Sequence, residues 1–370
     1  MRTLAVATAL TVALVSAPAA SADPTTLSLP TPTGRQPVGV TSLYMKDTSR
    51  PDPWVPTVPY RELMISVFYP TNTTNGTTKQ YMTPTESERY MSRLGLPDVP
   101  LDVMSTVRAN AVVDARPAGR RHSAPLVVLS PGSTQPRATL TSWAEDLASH
   151  GYVVAVIDHT YENRAQTFPD GRVTDCAACE VDDLPGFWEK VAKSRAADTS
   201  FVLDELLRAK RFDLIDPKRI GMTGHSAGGA ITTQVMLADS RIRAGADIDG
   251  SVHVPIPDSG LSRPFMFMGS TDEYVPGAPG PYDDWETDWL HLTGWKRWIM
   301  VAGTAHASYT DLGVIADGLG VDLGASVSGE RAVAITRAYV RAFFDQNLRC
   351  KPQPLMAAPS SSYPEVTFVG

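Results

Sequence analysis

Gly224-His225-Ser226-Ala227-Gly228-Gly229 follows a short apolar run, Arg219-Ile220-Gly221-Met222-Thr223, and precedes a stretch, Ala230 to Ala238, that reads as helix. A strand, a sharp turn with serine at its apex and then a helix make the arrangement called a nucleophile elbow. Crowding explains the glycines. Gly224 and Gly228 let neighbouring backbone approach a strained turn without a Cβ in the way. The helix N-terminus behind the serine offers free N–H groups, which favour negative charge developing on a reacting oxygen. A glycine-rich turn in an ordinary strand–helix unit requires neither the strand and helix flanking this one nor the additional Gly229.

Working outward, short apolar runs alternate with helical spacing from Ala124 onward. Leu126–Leu129, Val153–Ile157, Ile220–Thr223, Ala244–Ile248, Pro264–Met268 and Trp298–Val301 are predicted strands. Ala138–Ser149, Phe187–Ala209 and Arg331–Gln346 are predicted helices. Fully apolar strands between helices imply a mostly parallel sheet covered on both faces. With the serine elbow, the fold class is α/β, an α/β-hydrolase. Two earlier strands are read at Val38–Met45 and Leu63–Tyr69, separated by the proline-rich 49–59. Residues 79–115 are spaced as short helices broken by Pro97 and Pro100. They are expected to form a helical insertion, either over the active site or as a pad on the sheet edge. One catalytic domain over 23–370 is expected, with a loosely docked lead-in to Pro37 and a weakly docked tail from Pro352 to Gly370.

A serine hydroxyl needs a base within hydrogen-bond reach, and the base needs an orienting acid. In this fold the order along the chain is Ser, Asp or Glu, His. After Ser226 the histidines are His253, His291 and His306. His306 follows the last strand and the small turn 302–305, at the carboxyl edge where the elbow opens, and is the predicted base. His291 lies in a helical run and His253 suits a pocket wall. Asp249 and Asp272 both end strands, and either could be the acid. The oxyanion hole needs backbone N–H groups. Ala227 supplies one, and Ser133, in Ser130-Pro131-Gly132-Ser133-Thr134-Gln135, is the expected second. The aromatics Phe187, Trp285, Trp289 and Tyr309 are candidates for the site wall or for the core.

The chain has 370 residues with a formal net charge of −7, and a sequence pI near 5.5. That balance argues against a nucleic-acid surface, which needs a basic stripe. Met1 to Ala22 reads as a secretory signal peptide: Arg2, the apolar Leu4–Val15, then Ala20-Ser21-Ala22 as cleavage site. No transmembrane segment is read, and the mature protein is expected outside the cell. The cysteines are Cys176, Cys179 and Cys350. Cys176 can pair with Cys179, or one of them with Cys350. A zinc site would need a second ligand pair that the nearby sequence lacks, and neither a metal nor a cofactor is called for.

Several stretches resemble the secreted platelet-activating factor acetylhydrolases and their bacterial homologues, from about Pro32 to Phe344. They include Pro32-Thr33-Gly34, Arg61-Glu62-Leu63-Met64, Val67-Phe68-Tyr69-Pro70 and Asp146 to Ala155. The elbow itself, Arg243-Ala244-Gly245 with Ile248-Asp249, and His306-Ala307-Ser308-Tyr309-Thr310-Asp311 complete the set. The resemblance implies Ser226 as nucleophile, Asp249 as acid and His306 as base, favouring Asp249 over Asp272. It implies a serine esterase acting on short or oxidised acyl chains of phospholipids, with peripheral contact to a lipid surface. Asp311 is expected at most to brace the histidine loop. One departure is Pro131-Gly132, where the family has His-Gly; it also looks like secreted cutinases and lipases. A lipase or polyester hydrolase is therefore the alternative function, and a silent binding protein the third.

Overall fold

Leu126 and Val128 point to one side of the sheet and Val127 and Leu129 to the other, and all four are fully buried. A strand with two dry faces needs helices on both, and the chain supplies them. The computed structural model describes residues 27–274, 276 and 284–369. The predicted signal peptide, 1–22, lies outside the described residues.

The strands are β1 (Val38–Asp47), β2 (Arg61–Pro70), β3 (Thr78–Gln80), β4 (Arg108–Val113), β5 (Ala124–Ser130) and β6 (Val153–Asp158), then the hairpin β7 (Gln166–Thr167) and β8 (Val173–Thr174). They continue with β9 (Ile215–His225), β10 (Ile242–Ile248), β11 (Phe265–Ser270), β12 (Lys296–Val301) and β13 (Val366–Val369). An 11-stranded sheet runs in the order β13-β12-β11-β10-β9-β5-β6-β2-β1-β4-β3. From β12 to β6 every neighbouring pair is parallel. Their carboxyl ends therefore share one edge, where open α/β sheets hold their ligands.

The main helices are α1 (Pro84–Met91), α2 (Thr141–Ser149), α3 (Phe187–Arg208), α4 (Ala227–Ala230), α5 (Thr232–Ala238), α6 (Asp284–His291), α7 (Asp311–Leu319), α8 (Gly329–Arg349) and α9 (Pro354–Ala357). Val202, Leu203 and Leu206 of α3 join Val235 and Met236 of α5 over one face. Trp143 and Leu147 of α2 join Tyr339, Phe343 and Phe344 of α8 over the other. Each such side chain is worth roughly 1.5–3 kcal/mol of burial, so the central sheet is the best-anchored part of the molecule.

The structure differs from the sequence expectations at the margins. The lead-in is docked: Leu27 and Leu29 are buried, and Thr33 donates its N–H to Asp146 at 2.7 Å. Residues 79–115 are not wholly helical. α1 and a single turn, Val103–Thr106, are followed by strand β4, which pairs with β1 and β3 at the sheet edge. The segment packs as a pad, with Tyr90 and Met104 in a small core beside Ala138 and Ile315. The tail also docks, since Val366–Val369 pairs antiparallel with β12. Among the described residues, no helix is long and apolar enough to cross a membrane. Cys176 is bonded to Cys179, and Cys350 is a free, exposed thiol.

Candidate active site

The elbow joins the end of β9 to α4, and Ser226 sits between them with φ 54° and ψ −127°. A non-glycine residue there costs about 1–3 kcal/mol and must be held by its surroundings. Ser226 N–H donates to the Ile248 carbonyl at 2.9 Å, and Ser226 O accepts from Ala230 N–H at 2.9 Å. A Cβ on Gly224 or Gly228 would overlap the Ser130 carbonyl oxygen, so both positions require glycine. Ser226 itself is only half-buried.

Asp249 lies just past the end of β10, also with positive φ, 58°. Its N–H donates to the Met268 carbonyl at 2.8 Å. Its buried carboxylate accepts the Ser270 N–H at 2.9 Å through Oδ1 and His306 Nδ1–H at 2.6 Å through Oδ2. His306 is 46% exposed while Asp249 is fully buried. Burial opposes charging His306, but the hydrogen bond and charge of Asp249, with Glu273 beyond, outweigh it and hold the imidazole above its ordinary value. His225 Nε2–H donates to the His306 carbonyl at 2.7 Å. The residue before Ser226 is thereby tied to the histidine loop. Burial keeps the His225 ring neutral.

The 130–135 loop faces the elbow: a Cβ on Gly132 would stand 3.2 Å from Ser226 Cβ. The Thr134 N–H is spent on the Glu162 carbonyl at 3.0 Å. The N–H groups of Gly132, Ser133 and Ala227 donate to no other group among the described residues. Ser133 is exposed.

Of the predicted residues, Ser226, Asp249, His306, Ala227 and the Ser133 loop are brought to one place. Asp272 is not; it is exposed and its hydrogen-bond partner is Thr271, at 3.5 Å. His291 pairs weakly with Asp258 at 3.6 Å. His253 stacks on Trp188, ring centroids 4.0 Å apart at 12°. Phe187, Trp285 and Tyr309 are core residues, and Trp285 Nε1–H braces the acid loop by donating to Gly250 O at 2.7 Å. Asp311 ties the histidine loop to α2 by accepting the Ser142 N–H at 3.1 Å. His225, Asp249 and His306 offer ligand atoms within 4.8 Å of one another. His225 Nε2 and His306 Nδ1 carry protons donated elsewhere, so the lone pairs left on the two rings are those of His225 Nδ1 and His306 Nε2.

This geometry can be set beside known proteins. The family model for platelet-activating factor acetylhydrolase, isoform II, matches residues 24–174. A probable 1-alkyl-2-acetylglycerophosphocholine esterase from Arthroderma benhamiae is 30% identical over 68% of this chain and 67% of its own length. The chain belongs to the platelet-activating factor acetylhydrolase family. The guinea-pig (Cavia porcellus) platelet-activating factor acetylhydrolase is 26% identical over 50% of this chain and 48% of its own length. Among solved structures, a ferulic acid esterase from Streptomyces cinnamoneus superposes with a TM-score of 0.82 at 40% identity, covering 93% of this chain and all of that one. This family member is thus an α/β-hydrolase and a carboxylic ester hydrolase.

What the sequence reading missed lies behind the site. Val191, Arg195, Asp198 and Val202 follow helical spacing along α3 and are all buried. Charges at stripe positions were the available signal, because ionised side chains enter a core only when paired.

Proposed function

We propose that the protein is a secreted serine esterase in which Ser226 is the nucleophile, His306 the general base and Asp249 the acid that orients it. The 2.6 Å contact between His306 Nδ1 and Asp249 Oδ2 carries this reading. It leaves Nε2 as the basic atom, on a ring whose loop is tied to the elbow through His225. Ser226 Oγ attacks the ester carbonyl while His306 Nε2 takes its proton. The tetrahedral oxyanion is held by the N–H groups of Ala227 and Ser133. As the intermediate collapses, His306 returns the proton to the departing alcohol. Water, deprotonated by the same nitrogen, then cleaves the acyl-enzyme, releases the acid and regenerates Ser226.

The substrate class that follows from the family is a phospholipid with a short or oxidised acyl chain, met at a lipid surface. A second reading is an aromatic acyl ester such as a ferulate. It is favoured by the flat Trp188–His253 stack beside α4 and by the ferulic acid esterase neighbour. The deciding experiment compares initial rates on phosphatidylcholines carrying acetyl to palmitoyl at the second position, methyl ferulate and matched triacylglycerols, with Ser226→Ala as blank. Activity confined to short-chain phospholipid supports the first reading, and preference for ferulate the second. Preference for triacylglycerol makes the protein a lipase. Blank-level rates on all of them would refute the esterase mechanism.

A further inference from the structure

Behind the 130–133 loop lies a buried charged assembly outside the chemistry above. Arg195, 2% exposed, donates Nε–H to Glu162 Oε2 at 2.7 Å. Its Nη1 donates to the Pro131 carbonyl at 2.7 Å and to Ser130 Oγ at 3.0 Å. Ser130 Oγ also meets His159 Nε2 at 3.0 Å, and His159 Nδ1 meets Asp198 at 2.8 Å. Asp198 is gripped by Arg61 at 2.8 Å and Arg50 at 2.6 Å, and Arg61 continues to Asp52 at 2.7 Å. Burial and the Arg195 charge lower the proton affinity of His159. The Asp198 carboxylate accepts the Nδ1–H, and Ser130 Oγ, which already accepts from Arg195, turns its own proton to His159 Nε2. Although these are serine, histidine and aspartate, Ser130 and Asp198 are fully buried, so no ester reaches them.

We propose that Arg195 is a positioning residue for ester hydrolysis: held by Glu162, it fixes the Pro131 carbonyl and so aims the unspent N–H groups of the Gly132–Ser133 turn at the oxyanion. The inference rests on the mechanism proposed above. Its geometric basis is the trans peptide, in which a carbonyl and the following N–H point in opposite directions. The Pro131 carbonyl is turned inward onto Arg195, so the Gly132 N–H faces away from the core. The Gly132 carbonyl accepts from Gln135 N–H at 3.3 Å, which turns the Ser133 N–H away from Gln135 in the same manner. Pro131 has no N–H and a fixed φ, so this anchoring depends on its carbonyl. A lysine lacks the planar fork that reaches Glu162, Pro131 and Ser130 together.

The test is Arg195→Lys, with Glu162→Gln as a second variant that loosens the same guanidinium while keeping its own shape. A small misplacement of oxyanion donors costs up to about 100-fold in rate. The expected result for Arg195→Lys is a kcat lowered about 10- to 100-fold, an unchanged KM, and a matching loss of affinity for a boronic-acid transition-state analogue. Glu162→Gln should move the same readouts less. Arg195→Ala should regain kcat when guanidinium is added at concentrations below those that unfold it. A folded Arg195→Lys with wild-type kcat overturns the proposal. So does a loss confined to KM, or, should that variant not fold, a wild-type kcat and analogue affinity in Glu162→Gln. If Ser226→Ala is inactive in the same assay, such a failure belongs to Arg195 alone; if Ser226→Ala is active, the underlying mechanism falls.

Discussion

The molecule sets serine, histidine and aspartate together in two places, and the surroundings give them opposite properties. At the carboxyl edge, Ser226 is half-buried, His306 is 46% exposed, and Asp249 orients the imidazole and raises its proton affinity. Behind the 130–133 loop, His159 is buried beside Arg195 and its proton affinity is lowered, even though Asp198 touches it at 2.8 Å. Asp198 spends its charge on Arg61 and Arg50, whereas Asp249, among the described residues, accepts from the neutral Ser270 N–H and from His306. Access and competing cations, not the identity of the residues, separate the open arrangement from the sealed one.

Mutations should break this comparison unevenly. Ser226→Ala should lower kcat on a p-nitrophenyl ester by about 10⁶-fold. Ser130→Ala leaves the Pro131 carbonyl on Arg195 and should lose less than about 10-fold. Asp249→Asn should cost about 10⁴-fold in kcat through the wrong tautomer, with the folded state retained in circular dichroism. Asp198→Asn should act on the fold instead. It leaves Arg61 buried and undercompensated, at a cost of about 3–5 kcal/mol, which a urea titration reads as a lower midpoint at unchanged slope.

The pH responses sharpen the contrast. His306 is held above the ordinary imidazole value. The stability it contributes is full below the unfolded value near 6.5 and is lost as pH rises through the folded value. Catalysis runs the other way, because the base must be neutral. The acid limb of kcat/KM should therefore lie above the ordinary imidazole value and shift downward in Asp249→Asn. His159 is lowered, so its contribution is full above the ordinary value and lost as pH falls. A stability profile should show that loss on the acid side, and His159→Gln should remove it. The smallest effect is expected from Asp272→Asn, whose kcat should stay within about 2-fold of wild type, as for a surface substitution.

Much of this was legible in the chain. The central strands and covering helices fall where apolar alternation and helical spacing put them, because a two-faced core leaves no other pattern. The elbow glycines were legible for the same reason as their geometry: nothing larger fits beside Ser130 O. The edges were less so. β3 and β4 are short and half-exposed, and β13 follows a proline-rich stretch, so their pairing depends on neighbours distant in the chain. Choosing Asp249 over Asp272 from residues alone was not possible, since both end strands.

By itself, the sequence determined the α/β class, the order of the central strands and helices, and a set of serine, acid and histidine candidates, because periodicity and turn chemistry are local properties. The tertiary structure alone decided which aspartate meets His306. It also decided that Arg195 reaches the Pro131 carbonyl across 64 positions of chain, and that a second serine–histidine–aspartate set is sealed from solvent. Those are matters of distance and dielectric, and both come into being only when remote segments pack together.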